Sequence, residues 1–234
     1  MYRDGLSFEQ QNTKVETAAV MSGVYGWMTF ALALSGLCAW LVGTTPNLAK
    51  NLLTGGMFWV LAIAQIALVF VISGLIRKLS AAMATALFIA YAALNGLTLG
   101  IIFVVYTASS IAVTFLVTAG TFGAMALVGT VTKLDLSKFG SILFMGLIGL
   151  IIASIVNMFW ANSTLYWIIT YAGVLIFTGL TAYDVQKIKN LCYSVEGQGF
   201  EVTRKIAILG ALTLYLDFIN LMLYLLRILG NRRD

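Results

Sequence analysis

Two aspartates stand where a carboxylate is least expected. Asp217 lies near the middle of "LTLYLDFINLMLYLL" (212–226), and Asp184 closes the apolar run that ends in "TGLTAYD". An ionised carboxylate buried without a partner costs several kcal/mol or takes up a proton. Thr213, Asp217, Asn220 and Tyr224 are spaced by four, three and four residues, so on a helix they share one face. Thr178, Thr181 and Asp184 are likewise spaced by three. The chemistry open to such a set is proton exchange and weak cation coordination. Each acid also has a purely structural role open to it. Asp184 can pair with Lys187 one turn on, and Asp217 can stay protonated, bonded to Thr213 or to a neighbouring helix.

Nothing else in the chain competes for that role. There is no histidine, which excludes histidine-based zinc hydrolase motifs, Ser-His-Asp triads and imidazole pH switches. The two cysteines, Cys38 in an apolar run and Cys192 in a polar one, form neither a disulfide pattern nor a metal cluster. No glycine-rich phosphate loop precedes a Lys-Ser/Thr pair. Titration near neutral pH therefore falls to carboxylates.

The elements that must position them are membrane helices. Of 234 residues, 61% are hydrophobic and 10% charged, and the mean hydropathy is +0.97. A soluble domain is about half apolar and a quarter charged. Runs near Val24–Val42, Met57–Ile76, Ala82–Tyr106, Ile111–Val131, Phe139–Trp160, Tyr166–Tyr183 and Ile206–Leu229 are each long enough to cross a bilayer core. They are continuous rather than alternating, which favours helices over a barrel. The expected fold is an all-α integral membrane protein with seven transmembrane helices spanning residues 24–229. A polar N-terminal tail (1–23), flexible or a short surface helix, precedes it, and a short basic tail (230–234) follows.

Lysine and arginine placement gives an expected orientation. Arg3 and Lys14, Arg77 and Lys78, Lys133 and Lys138, and Lys187, Lys189, Arg204 and Lys205 all fall on the side of the N-terminus. The other side has Lys50 and the uncharged links "TASS" and "ANST". The N-terminus and the even-numbered loops are thus expected in the cytoplasm. Arg227, Arg232 and Arg233 oppose this, so either the last segment is re-entrant or these charges are outvoted. The net charge of +5 reads as interaction with anionic lipid headgroups, not with nucleic acid. Arg77, at the end of the second run, is by itself an interfacial anchor. Gly96, Gly100 and the glycines of the middle runs mark close helix packing, and Gln65, Asn95 and Asn157 are expected to bond across helices. Counted from Lys205 at 1.5 Å per residue, Asp217 lies about 18 Å deep, about 10 Å beyond Asp184. Contact between them is open, and a start of the last helix inside "EVTRKIAI" would bring them closer.

The stretch "GLTAYDVQKIK", followed by "ILGALTLYLDFINLMLYLLRILG", resembles the Bax inhibitor-1 family, as do "VYGWM" and "VYTASSIA". The short, histidine-free chain is similar to bacterial inner-membrane members. The resemblance implies a seven-helix bundle with the C-terminal helix central, and a pH-sensitive calcium leak across the membrane. It implies that Asp184 and Asp217 share a proton as sensor and gate, bind calcium weakly and transiently, and have Arg77 as a possible partner. Thr213, Asn220 and Thr181 would form the polar stripe beside the gate. Calcium would be cargo rather than cofactor, and the partners would be lipid, calcium ions and protons. Two carboxylates with amide and hydroxyl oxygens fall short of the six to eight ligands of a tight calcium site.

Two other functions use a similar pair. A proton-coupled calcium exchanger would use the same titration. Intramembrane aspartyl proteases also carry aspartates on their sixth and seventh helices, one in "YD", matched by Tyr183-Asp184. Their second motif needs glycines where this chain has Leu214 and Leu216, and their "PAL" motif is missing, the only proline being Pro46. A transport role is therefore expected, not an enzymatic one.

Overall fold

The computed structural model describes residues 2–53, 55–195 and 197–233, with side chains apart from those of 2–16 and Leu53. It consists of α1 (Tyr2–Thr44), α2 (Pro46–Leu53), α3 (Gly56–Leu75), α4 (Ala81–Val105), α5 (Ala108–Val131), α6 (Ser137–Trp160), α7 (Ser163–Ser194) and α8 (Phe200–Leu229). Seven of these are long and apolar enough to cross a membrane: Thr17–Thr44 of α1, and α3 to α8. Three boundaries differ from those expected. In the 1–23 segment, α1 runs unbroken from Tyr2 into the first span. α7 runs eleven residues past Tyr183, since buried Val185, Ile188 and Cys192 extend its apolar face at helical spacing. α8 starts at Phe200, inside the polar stretch before Ile206.

α8 is one unbroken helix of 30 residues, about 45 Å long at 1.5 Å per residue. That is long enough to cross a bilayer core in a single pass. Its C-terminal tail is held beside the α4–α5 link. Thr107 N donates to Asn231 O (3.1 Å), Arg233 N to Val105 O (2.9 Å) and Asn231 N to Ser110 Oγ (2.9 Å). Arg227 lies over the rings of Tyr166 and Tyr224, at 5.4 and 5.0 Å. The basic residues that resist the orientation rule are thus fixed by local contacts.

Burial separates the spans. In α8, 72% of the most apolar window is buried, against 11% in α3 and α6. α8 is therefore covered by protein, whereas the exposed Ile, Leu and Phe of α3 and α6 meet lipid.

The contacts form two compact units, residues 1–104 with 188–213 and residues 105–187 with 214–234. In the first, α1 lies directly on α4. A Cβ on Gly96 would come within 2.6 Å of Ser35 O, and one on Gly100 within 2.6 Å of Val42 Cβ. Ser35 Oγ donates to Ala92 O (2.7 Å) across the same seam. Gln65 bonds across helices as expected, to Thr98 (3.3 Å). Asn95 does not; it donates to Tyr91 one turn back in its own helix (3.1 Å). Glu201 Oε1 accepts from Ala81 N (2.6 Å), joining the start of α8 to the start of α4.

In the second unit, α6, α7 and α8 share a core of Leu150, Ile169, Phe177, Leu180 and Leu221. Phe218 of α8 packs against Phe115 and Phe122 of α5, with ring centroids 5.4 and 5.6 Å apart. Asn157 serves the tight α6–α7 link instead of a helix interface, its Oδ1 accepting from Asn162 N (3.0 Å). Gly120, Gly123 and Gly149 have open space around them and mark no packing contact.

Gly96→Val should thus lower stability by about 1–3 kcal/mol, the usual effect of overpacking a seam with no free volume. Gly120→Ala should leave stability unchanged or raise it by up to about 1 kcal/mol through helix propensity. Thermal unfolding of the purified variants in one detergent would check both; equal losses would refute the assignment of the seam.

Candidate functional site

The register of α7 against α8 places the two acids. Ile188 closes on Gly210, with Cγ2 3.0 Å from where a Cβ would stand, and the helices run antiparallel. Four residues further along each helix, Asp184 is level with Leu214. Asp217 is then only three residues, about 4.5 Å, beyond it along the axis. That offset is within side-chain reach, and the two carboxyl groups come within hydrogen-bonding reach of each other. The larger separation expected from sequence came from ending α7 at Tyr183 and starting α8 near Lys205.

Asp217 is buried, at 5% exposure, and its Oδ2 is buried without a hydrogen-bond partner. Asp184 is half-buried. A hydrogen bond between two carboxyl groups requires a proton on one of them, because an ionised carboxylate only accepts. Lys187 lies over the Tyr183 ring, 5.6 Å from its centroid, with its charge still close enough to act on Asp184.

Neighbouring helices fix Asp184 from both sides. Gly129 of α5 lets the Ala182 backbone approach so closely that no Cβ would fit between them. Gly140 of α6 lies against the Tyr183 ring in the same way. One turn on, Gln186 holds the α5–α6 link with both ends of its amide: Leu136 N donates to Oε1 (2.9 Å), and Nε2 donates to Leu134 O (2.8 Å). In that link, outside the spans, Asp135 Oδ1 accepts from Ser137 N (2.9 Å). Hydrogen bonds to the Ser137 side chain and backbone hold the Asp135 carboxyl below the usual range.

The polar stripe behaves differently from the expectation. Thr213 donates to Leu209 O (3.1 Å), Asn220 to Leu216 O (2.8 Å) and Thr181 to Phe177 O (2.8 Å). Each is bonded to its own helix, so these donors do not go to the carboxylates. The apolar side of α8 is not turned to lipid either, because Leu212, Leu214 and Leu221 are fully enclosed, whereas Thr213 and Asn220 are half-buried. Arg77 is exposed in the turn after α3. Cys38 and Cys192 are both free thiols. Among the described residues there is no cluster of three or more potential metal ligands.

The seven long apolar helices lie in a stretch that one family model covers. The model for the inhibitor of apoptosis-promoting Bax1 matches residues 17–234. The chain belongs to the Bax inhibitor-1 family. It is 55% identical over 214 residues to the inner membrane protein YbhL of Escherichia coli, covering 91% of this chain and 92% of that one. Proteins of Borreliella burgdorferi (46% over 215 residues, 92% of each chain) and Deinococcus radiodurans (42% over 229 residues, 98% and 97%) are also similar. As a Bax inhibitor-1 family member with an inner-membrane relative, this is an integral membrane protein whose acid pair lies inside its helices.

Sequence reasoning missed Gly129, Gly140 and Gln186. The glycines were lost among many others, and Gln186 sits in a stretch that looked like a loop. Gln186→Leu should strand Leu136 N–H and Leu134 C=O and cost about 1–3 kcal/mol. Amide exchange of the 132–138 link should speed up in step, with Gln186→Glu intermediate because its carboxylate still accepts from Leu136 N. Unchanged exchange in Gln186→Leu would show that the amide does not hold the link.

Proposed function

We propose that this protein is a pH-sensitive calcium leak channel, gated by the proton that Asp184 and Asp217 share. The observation that carries this is the meeting of the two carboxyl groups, with one Asp217 oxygen buried and unpartnered. With a proton between them the carboxyls attract; without it, two negative charges at that separation repel in an apolar surround. Such a pair has two states that differ in how firmly α7 and α8 are held together, and it titrates as a unit. The repulsion is relieved by parting the helices or by a divalent cation taking the proton's place. Two carboxylates bind calcium too weakly for storage, which suits passage. The role is transport, not catalysis. The N-terminus and the lysine-rich links lie in the cytoplasm by the charge rule, so the pair is reached through the inner-membrane side on which α7 and α8 are joined.

A proton-coupled calcium exchanger would use the same pair, and one assay separates the two. Protein in liposomes should pass calcium down its gradient at a rate that changes severalfold between about pH 5 and pH 8, where a shared proton comes off. Imposing a proton gradient without a calcium gradient should move no calcium; uphill movement would establish the exchanger instead. Flux equal to that of empty vesicles throughout that pH range would overturn both.

A further inference from the structure

The first span and the α7–α8 hairpin enclose a cavity of about 670 Å³. α1 walls it from Thr17 to Trp27, a length of about 15 Å at helical rise. The opposite walls are Cys192 near the end of α7 and Phe200, Thr203 and Arg204 in the first turns of α8. The three helices are close together below it, where Val24 and Ile188 both approach Gly210. From there the cavity extends to the end where the spans begin, at Thr17 and Phe200. Gly197 and Gly199, at φ +74° and +85°, turn the link between α7 and α8 and also line the space. The left-handed conformation is one that glycine adopts without strain.

The lining defines a class of ligand. It is a long, mostly apolar slot with two threonine hydroxyls and one guanidinium, which suits an amphipathic anion better than an ion or a sugar. A guanidinium binds phosphate oxygens two at a time, with charge-assisted hydrogen bonds. Lys189 near the same end of α7 adds positive charge that attracts acidic headgroups, whereas Lys205 is paired with Glu201 (3.8 Å). The slot starts where both spans begin, at Thr17 and Phe200, and Trp27 lines its inner end about 15 Å along α1.

We propose that this cavity is a site for an anionic phospholipid of the surrounding bilayer, with its phosphate on Arg204 and one acyl chain lying along Val20 towards Trp27. A lipid seated there joins α1 to the α7–α8 hairpin. The site is independent of any calcium flux, and so is its test.

Cys192 lines the slot but is only 3% exposed, so its thiol is reached through the slot and reports what fills it. In a Cys38→Ala background it is the only thiol, and its labelling by a small maleimide is followed in detergent at one alkaline pH. Phosphatidylglycerol should slow labelling about tenfold more than phosphatidylcholine with the same chains, the weight of one charge-assisted contact. Arg204→Gln should abolish that difference, and Arg204→Lys should keep part of it. Native mass spectrometry of the unsubstituted protein should show phosphatidylglycerol retained over phosphatidylcholine, a readout that does not depend on any variant folding. Equal protection by the two lipids, protection by neither, or an unchanged preference in Arg204→Gln would overturn the proposal. So would protection by a free fatty acid where phosphatidylglycerol gives none.

Discussion

Two carboxyl groups brought together between helices of a membrane protein constrain everything around them. Asp217 is buried and Asp184 half-buried, and both cannot be charged without strong repulsion, so the surrounding helices must fix their separation. The structure does this through backbone contact. Ala182 lies on Gly129, Tyr183 lies on Gly140, and Gln186 binds the link that joins those two glycines' helices. The α8 side is fixed by ring packing, with Phe218, next to Asp217, set against Phe115 and Phe122. Movement of either acid therefore disturbs α5, α6, α7 and α8 together.

The ends of α8 are held as firmly as its middle. Glu201 ties its first turn to the start of α4, and the Gly230–Arg233 segment binds the α4–α5 link through backbone groups. With both ends fixed and its apolar side enclosed, α8 has little freedom to slide. A change in charge at Asp217 is better accommodated by tilting its neighbours, of which α6 is the least buried.

Much of this was legible in the sequence. Seven spans followed from apolar runs of bilayer length, and the acid pair stood out because no other carboxylate lies in those runs. Three things were not legible, each for a physical reason. Helix ends were misplaced because α7 leaves the membrane as a polar helix, and hydropathy marks the loss of apolar surface, not the end of hydrogen bonding. The polar stripe was read as a set of ligands, yet a threonine or asparagine in a membrane helix bonds most easily to the carbonyl four residues back, as Thr181, Thr213 and Asn220 do. The glycines that matter could not be told from those that do not, because Gly129 and Gly120 differ only in what lies opposite them.

The claim at the centre is that Asp184 and Asp217 act as one titrating unit. The most direct test compares the pH profile of calcium flux in Asp184→Asn, Asp217→Asn and the double variant, each reconstituted at equal density. Asparagine keeps the shape and removes the titration. If one proton is shared, each single variant should lose most of the pH dependence and the double variant should be little different from either. Additive losses, or a full pH response retained by Asp217→Asn, would contradict the account and leave Asp217 a structural acid.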